Sequence, residues 1–175
     1  MNSKDLSIVK SKLNKYLKNK DILDIILFGS AIKGKIMPRD IDIAIITEKE
    51  RIFHLEGFHI SMVKASDFFV KPGSLITTLL REGYSLRHKK FLSELYGFSN
   101  RVMFRYKLKG LNPSGKVKTV NILRGKGKEK GLVEQNLGEW LANQVFIVPV
   151  ENEFIFNKFF LSHKINFNKN YILIY

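Results

Sequence analysis

Cysteine is absent from the 175 residues, which excludes disulfides and thiolate metal sites and fits a cytoplasmic protein. Long apolar runs are missing too. None approaches the roughly 18 residues that a membrane-crossing helix needs, and the opening Met1-Asn2-Ser3-Lys4-Asp5 lacks the apolar stretch of a secretory leader. Acidic side chains are scarce: 16 Asp and Glu stand against 30 Lys and Arg, a net charge of +14. The shortage is uneven. Residues 101–130 carry Arg101, Arg105, Lys107, Lys109, Lys116, Lys118, Arg124, Lys126, Lys128 and Lys130 against Glu129 alone, ten minus one, a local excess of nine. Such a stretch suits a polyanion partner, a nucleic acid or a nucleotide. The plainer alternative is a solvated, Lys-rich surface.

What is present supports a folded core, since 45% of the residues are hydrophobic and 12% aromatic. Leu6, Val9, Leu13 and Leu17 recur at helical spacing behind a capping Ser3. Ile22 to Phe28 is a nearly continuous apolar run closed by Gly29-Ser30, the pattern of a buried strand. Ser30 to Gly34 suits one short helical turn, and Lys35 to Arg39, with Pro38, a loop. Ile41, Ile43 and Ile45 alternate with Asp40, Asp42 and Ala44, the period of a strand. A third strand follows over Phe58 to Val63.

Beyond Pro72-Gly73, helices are expected over Ser74–Leu80 and Arg87–Leu95. The alternation of Val102, Phe104, Tyr106 and Leu108, the Asn112-Pro113-Ser114-Gly115 turn and the run Val117–Leu123 together predict a hairpin. Arg124 to Gly131 reads as a Gly/Lys loop, mobile and basic. The rest predicts helix Val133–Ala142, strand Val145–Val150, helix Glu151–Leu161 and strand Ile165–Ile174. The expected division is a core over residues 1–72 and a basic α+β region over 73–175.

The chemistry concentrates in Leu27-Phe28-Gly29-Ser30 and Asp40-Ile41-Asp42-Ile43. A glycine directly after a buried strand lets the backbone approach a ligand closely, and N–H groups at the start of a helical turn favour an anion. The Ser30 hydroxyl adds a donor for a phosphate oxygen. Asp40 and Asp42, two apart on a strand, point to one face and can share cations. Mg²⁺ takes one or two carboxylates plus substrate phosphates, and two such ions can clamp an in-line phosphoryl displacement.

At these residues the sequence resembles the DNA polymerase beta-like nucleotidyltransferase superfamily, especially its minimal stand-alone prokaryotic members. Phe28, Gly29, Ser30, Asp40, Ile41, Asp42 and Ile43 meet the family pattern over about residues 1–70, and Gly34 falls where members often turn. The resemblance implies an α+β fold with a twisted mixed sheet and helices on one face, joined here to a smaller α+β second half. It implies a Mg²⁺- or Mn²⁺-dependent enzyme that moves a nucleoside monophosphate from a nucleoside triphosphate, ATP among them, to a hydroxyl or phosphate acceptor. Asp40 and Asp42 would match the metal ligands and catalytic carboxylates, Gly29 and Ser30 the triphosphate contacts.

One departure stands out. Active members usually carry a third carboxylate on the following strand, where this sequence has His59, with Glu56 just before Gly57. His59 can bind a metal or act as a base, or be an ordinary partly buried histidine.

Other motifs are weaker. His54, Glu56 and His59 hint at a metal without completing a structural zinc set. Arg124 to Gly131 lacks the spacing of a phosphate-binding loop. In the basic stretch, Arg105, Lys107, Lys116, Lys118, Lys126 and Lys128 are the candidate contacts to an RNA or DNA backbone. Phe104, Tyr106 and Trp140, the last on the expected helix Val133–Ala142, are read as core. Three functions stay in view: a nucleotidyltransferase with an RNA, DNA or protein acceptor; a nucleotide- or nucleic-acid-binding protein that no longer turns over; and an antitoxin-type partner of a small helical toxin. No membrane role is expected.

Overall fold

A computed structural model describes residues 3–34, 40–49, 55–70 and 72–175, with side chains from Val9 onward. The expected loop Lys35–Arg39 and His54 lie outside the described residues. The chain divides into two compact units, residues 1–100 with Tyr175, and residues 101–174. Among the described residues no helix is long and apolar enough to cross a membrane.

The first unit is built on a mixed five-stranded sheet. Helix α1 (Ser3–Leu17) leads into β1 (Ile22–Phe28), a 3₁₀ turn (Gly29–Ala31), β2 (Ile41–Thr47) and β3 (Phe58–Val63); α2 (Ser74–Glu82), β4 (Tyr84–Ser85) and β5 (Lys90–Phe91) complete it. The strand order is β3-β2-β1-β4-β5. β2 pairs antiparallel with β1 and parallel with β3, while β4 pairs antiparallel with β1 and β5. Residues 84–91 thus join the first sheet, past the expected division at residue 72.

The apolar run in β1 is continuous because both faces of the sheet are covered. Val9 and Leu13 of α1 pack with Ile25, Leu27, Ile43 and Ile45. Ile76 and Leu79 of α2 pack on the other face with Ile26, Ala44, Ile46 and Val63. The α+β class with a mixed sheet holds, and the helices are divided between the faces rather than gathered on one. The sequence pattern could not separate these cases, because a strand buried on both sides shows no alternation to say which face lacks a helix.

One carboxylate interrupts that run. Asp24 is 7% exposed, and it accepts hydrogen bonds from the Ser85 hydroxyl at 2.5 Å, the Ile25 N–H at 2.7 Å and the Arg87 N–H at 3.2 Å. The Arg87 guanidinium donates to the carbonyls of Leu17, Ile22 and Leu23. This web is why residues 87–95 do not form the expected helix. Their backbone is drawn onto the sheet edge, where Lys90–Phe91 pairs with β4 and a 3₁₀ turn (Ser93–Tyr96) follows.

The second unit carries β6 (Ser99–Lys107), α3 (Pro113–Arg124), the short α4 (Leu132–Gln135), β7 (Glu139–Ala142), β8 (Val145–Pro149), α5 (Glu153–Ser162) and β9 (Asn166–Ile174). Its sheet order is β7-β8-β6-β9. Fully buried Phe104, Phe146, Phe156 and Phe160 form its centre, with ring centroids of Phe146 and Phe156 5.0 Å apart.

Two expectations fail here. The run Val117–Leu123 is helix, not the returning strand of a hairpin. Asn112 caps it, accepting from the Gly115 N–H at 2.7 Å, and Pro113 takes the first turn, where its missing N–H costs nothing. Asn-Pro-Ser-Gly signals a helix start as readily as a turn, and Thr119 and Leu123, four apart, are the buried positions. The expected helix Val133–Ala142 stops after Gln135. Leu137 has φ +57°, and Gly138 is pressed so closely against Val133 and Val148 that a Cβ would lie 2.7 Å from both side chains. Trp140 is therefore on β7, half-buried, with its ring 5.2 Å from that of Phe146.

Candidate functional site

The site forms where β1 ends. Phe28 is the last residue of the strand and pairs with Asp42 of β2. Gly29 then adopts φ +74°, a left-handed conformation that costs a residue with a Cβ roughly 1–2 kcal/mol. The turn brings the Gly29 Cα against the Asp42 side chain: a Cβ at Gly29 would overlap Asp42 Oδ2 and lie 3.2 Å from Cγ. The glycine demanded by φ is thus also demanded by the carboxylate above it. Ser30 follows in the same 3₁₀ turn, part-exposed.

Asp42 is likewise fixed from the other side. In the parallel pairing of β2 with β3, Asp42 stands opposite His59, and His59 Nδ1 lies 3.2 Å from Asp42 Oδ1. The two carboxylate oxygens therefore face different neighbours, Oδ2 the glycine turn and Oδ1 the imidazole. The Asp42 side chain keeps 32% of its surface exposed and His59 71%. Asp40 is exposed at the bend just before β2. The strand register thus brings together Gly29, Asp42 and His59, the first two from the Gly-Ser and Asp-x-Asp motif and the third from the position where the resemblance expects a carboxylate.

Among the described residues no three His, Asp or Glu side chains converge as a self-sufficient metal cage. A cation whose shell is completed by phosphate oxygens needs only one or two carboxylates from the protein. Asp42, with one oxygen over a turn that has no room for a side chain and Asp40 two residues away, fits that requirement.

A second carboxylate of this unit is already committed. Glu82, at the end of α2, is 1% exposed, with Lys33 Nζ at 2.9 Å and Arg81 Nη2 at 3.1 Å. Lys33 lies four residues beyond Gly29, so the pair ties the chain leaving the turn to α2. Sequence reasoning missed it, because nothing local connects residues 33 and 82.

Arg105, Lys107, Lys116 and Lys118 do not share the face of one hairpin. Arg105 and Lys107 are exposed on β6 and line a recess with Asn166 and Asn168. Lys116 and Lys118 are on α3, and Lys126 and Lys128 on the loop that follows; Lys118 and Lys126 line one groove. Phe104 and Tyr106 are buried, as expected.

Residues 11–71 match the family model described as Polymerase beta, Nucleotidyltransferase. The match spans β1, the glycine turn, β2 and β3, and so contains Gly29, Ser30, Asp40, Asp42 and His59. No curated protein and no solved structure matches the chain.

Proposed function

We propose that this chain, whose residues 11–71 match the family model described as Polymerase beta, Nucleotidyltransferase, is a Mg²⁺- or Mn²⁺-dependent enzyme that transfers a nucleoside monophosphate from a nucleoside triphosphate to an acceptor hydroxyl or phosphate, with RNA the favoured acceptor. The observation that carries the proposal is the contact between Gly29 and Asp42: a backbone turn without a side chain, directly against a half-exposed carboxylate. A triphosphate can approach the Gly29-Ser30 backbone while its oxygens and the Asp40 and Asp42 carboxylates share a metal. A metal held by Asp40 and Asp42 would supply charge neutralisation to the reacting phosphate. The residues of the chain hold the triphosphate in line and leave one side open for the acceptor. His59, beside Asp42 Oδ1, is the group on hand to take the acceptor proton. The basic region past residue 72 presents the acceptor.

The same residue favours a second reading. His59 stands where a third carboxylate is usual, and a protein that binds the nucleotide without turnover would tolerate that replacement.

Incubation of the purified chain with each labelled nucleoside triphosphate, Mg²⁺ or Mn²⁺ and total RNA separates the two. Label transfer to RNA supports the enzyme; metal-dependent nucleotide binding without transfer supports the binding protein. The Asp40→Asn, Asp42→Asn double variant is expected to lose the EDTA-sensitive part of the affinity while staying folded. Equal affinity with and without metal would sink the site assignment.

A further inference from the structure

The loop after α3 is not a slack basic tether. Gly125 (φ +89°) and Gly131 meet back to back: a Cβ on Gly131 would overlap the Gly125 nitrogen, and a Cβ on Gly125 the Glu129 carbonyl oxygen. The Gly125 N–H donates to the Asn121 carbonyl at 2.8 Å, and the Gln135 side chain donates to the Lys130 carbonyl at 2.6 Å. With both ends pinned, the loop stands over one face of α3 and leaves a groove of about 760 Å³.

The lining of that groove has a definite chemistry. Lys118 from α3 and Lys126 and Lys130 from the loop face it, with Glu129 the one acidic residue, a local charge of three minus one. Among the described residues Lys118 and Lys126 have no ion-pair partner. Lys130 reaches Glu134 at 2.9 Å in an exposed pair four residues apart, which is a weak attachment. Between the cations lie Ile122 and Val117, the latter 60% exposed. Among the described residues no aromatic side chain lines the groove, so bases find nothing there to stack on.

We propose that this groove holds the sugar–phosphate backbone of a single-stranded nucleic acid, with Lys118 and Lys126 on successive phosphates and Val117 and Ile122 against ribose. The inference deepens the nucleic-acid acceptor reading and rests on it. The volume falls in the range of small-ligand sites, about 300–1,000 Å³, room for a short single-stranded segment. The groove draws its cations from two separate elements, Lys118 from α3 and Lys126 from the loop, which suits a backbone with repeated phosphates. Recognition is sequence-tolerant, since the contacts are cationic and aliphatic.

The test uses the full chain, a fluorescein-labelled ten-nucleotide oligouridylate and no nucleoside triphosphate, with anisotropy read across salt concentrations. Lys118→Ala with Lys126→Ala removes two phosphate contacts, so the log–log salt slope should fall by about 1.4, twice the 0.7 per contact of single strands. At 0.1 M salt that slope corresponds to roughly 10- to 30-fold weaker binding. Lys118→Arg with Lys126→Arg should keep the slope. The double substitution Lys12→Ala, Lys18→Ala, at exposed positions in α1 and in the turn just after it, removes the same charge and should leave the slope unchanged. An equal loss in that α1 control, an unchanged slope in the groove variant, tighter binding of a duplex of the same sequence, or equal competition by polyglutamate would each overturn the proposal. Wild-type chain that binds no oligouridylate at low salt would overturn the groove and the nucleic-acid acceptor together. Metal-dependent triphosphate binding, measured separately on the Asp40, Asp42 variant, reports on the first unit alone.

Discussion

Gly29 lies so close beneath the Asp42 carboxylate that a single methyl group on it would occupy the position of Oδ2. Gly29→Ala therefore meets two costs at one position. The left-handed backbone, φ +74°, disfavours any Cβ by about 1–2 kcal/mol, and the carboxylate must shift. Chemical denaturation should show a loss of that order, and calorimetric titration with Mg²⁺ and a nucleoside triphosphate a fall in affinity of about tenfold or more. Unchanged affinity in a folded variant would mean the triphosphate does not use this turn.

His59 allows the metal proposal to be tested through stability rather than activity. A carboxylate installed there by His59→Asp stands opposite Asp42 in the strand register, and two like charges so close disfavour each other's ionised form. The variant should melt below the wild type in EDTA and regain stability on addition of Mg²⁺, because a cation binding only the folded state stabilises it by mass action. His59→Ala should show neither effect. A thermal melt of His59→Asp that ignores Mg²⁺ would argue that this end of the sheet does not gather a metal.

The site was more legible in the sequence than the fold around it. Phe28, Gly29, Asp42 and the strand Phe58–Val63 could be placed because backbone chemistry is local: a glycine where φ is positive, an alternation where one face is exposed. His59 is singled out through the resemblance, as the residue standing where members usually carry a third carboxylate on the following strand. Asp24, Ser85 and Arg87 could not be placed in either way. They meet across more than 60 residues, and their joint pull overrides the helical pattern of residues 87–95. The α3 error is of another kind: Asn112-Pro113 serves a turn and a helix cap equally well, and only the burial of Thr119 and Leu123 on one side decides between them.

Glu82 is held between Lys33 and Arg81 with almost no exposure. Glu82→Gln takes away the carboxylate that Lys33 and Arg81 share, and breaking a buried ion pair costs about 3–5 kcal/mol. Glu82→Gln should lower the urea midpoint accordingly. Lys33→Met should cost less, because Arg81 still neutralises the carboxylate and the aliphatic stem is replaced. A larger loss from Lys33→Met than from Glu82→Gln would mean that Lys33 serves the glycine turn in a way the ion pair does not explain.

Asn112 tests the helix in place of the hairpin. Its side chain accepts from the Gly115 N–H, and replacing such a cap by alanine typically costs about 1 kcal/mol, within a range of roughly 0.5–2. Asn112→Ala should show that loss in denaturant, and Asn112→Asp or Asn112→Ser should restore most of it. A strand at residues 117–123 would be indifferent to the exchange.

Tyr106 makes the second unit sensitive to alkali. It is 4% exposed, and burial raises its pKa above the ordinary 10.0, while the Arg124 charge lowers it in part. A folded-state pKa above the unfolded one means that the folded chain holds its proton more tightly. The stability from burying the neutral phenol is then complete below about pH 10, the unfolded value, and is lost as the pH rises through the higher folded value. Denaturant melts of the wild type should therefore weaken above pH 10, and those of Tyr106→Phe, which has no proton to lose at that position, should decline less steeply. Arg124→Ala removes the one opposing charge, so the Tyr106 phenolate band at 295 nm should emerge at still higher pH. Titration of that band at a lower pH in Arg124→Ala than in the wild type would show that Arg124 does not act on Tyr106 through its charge.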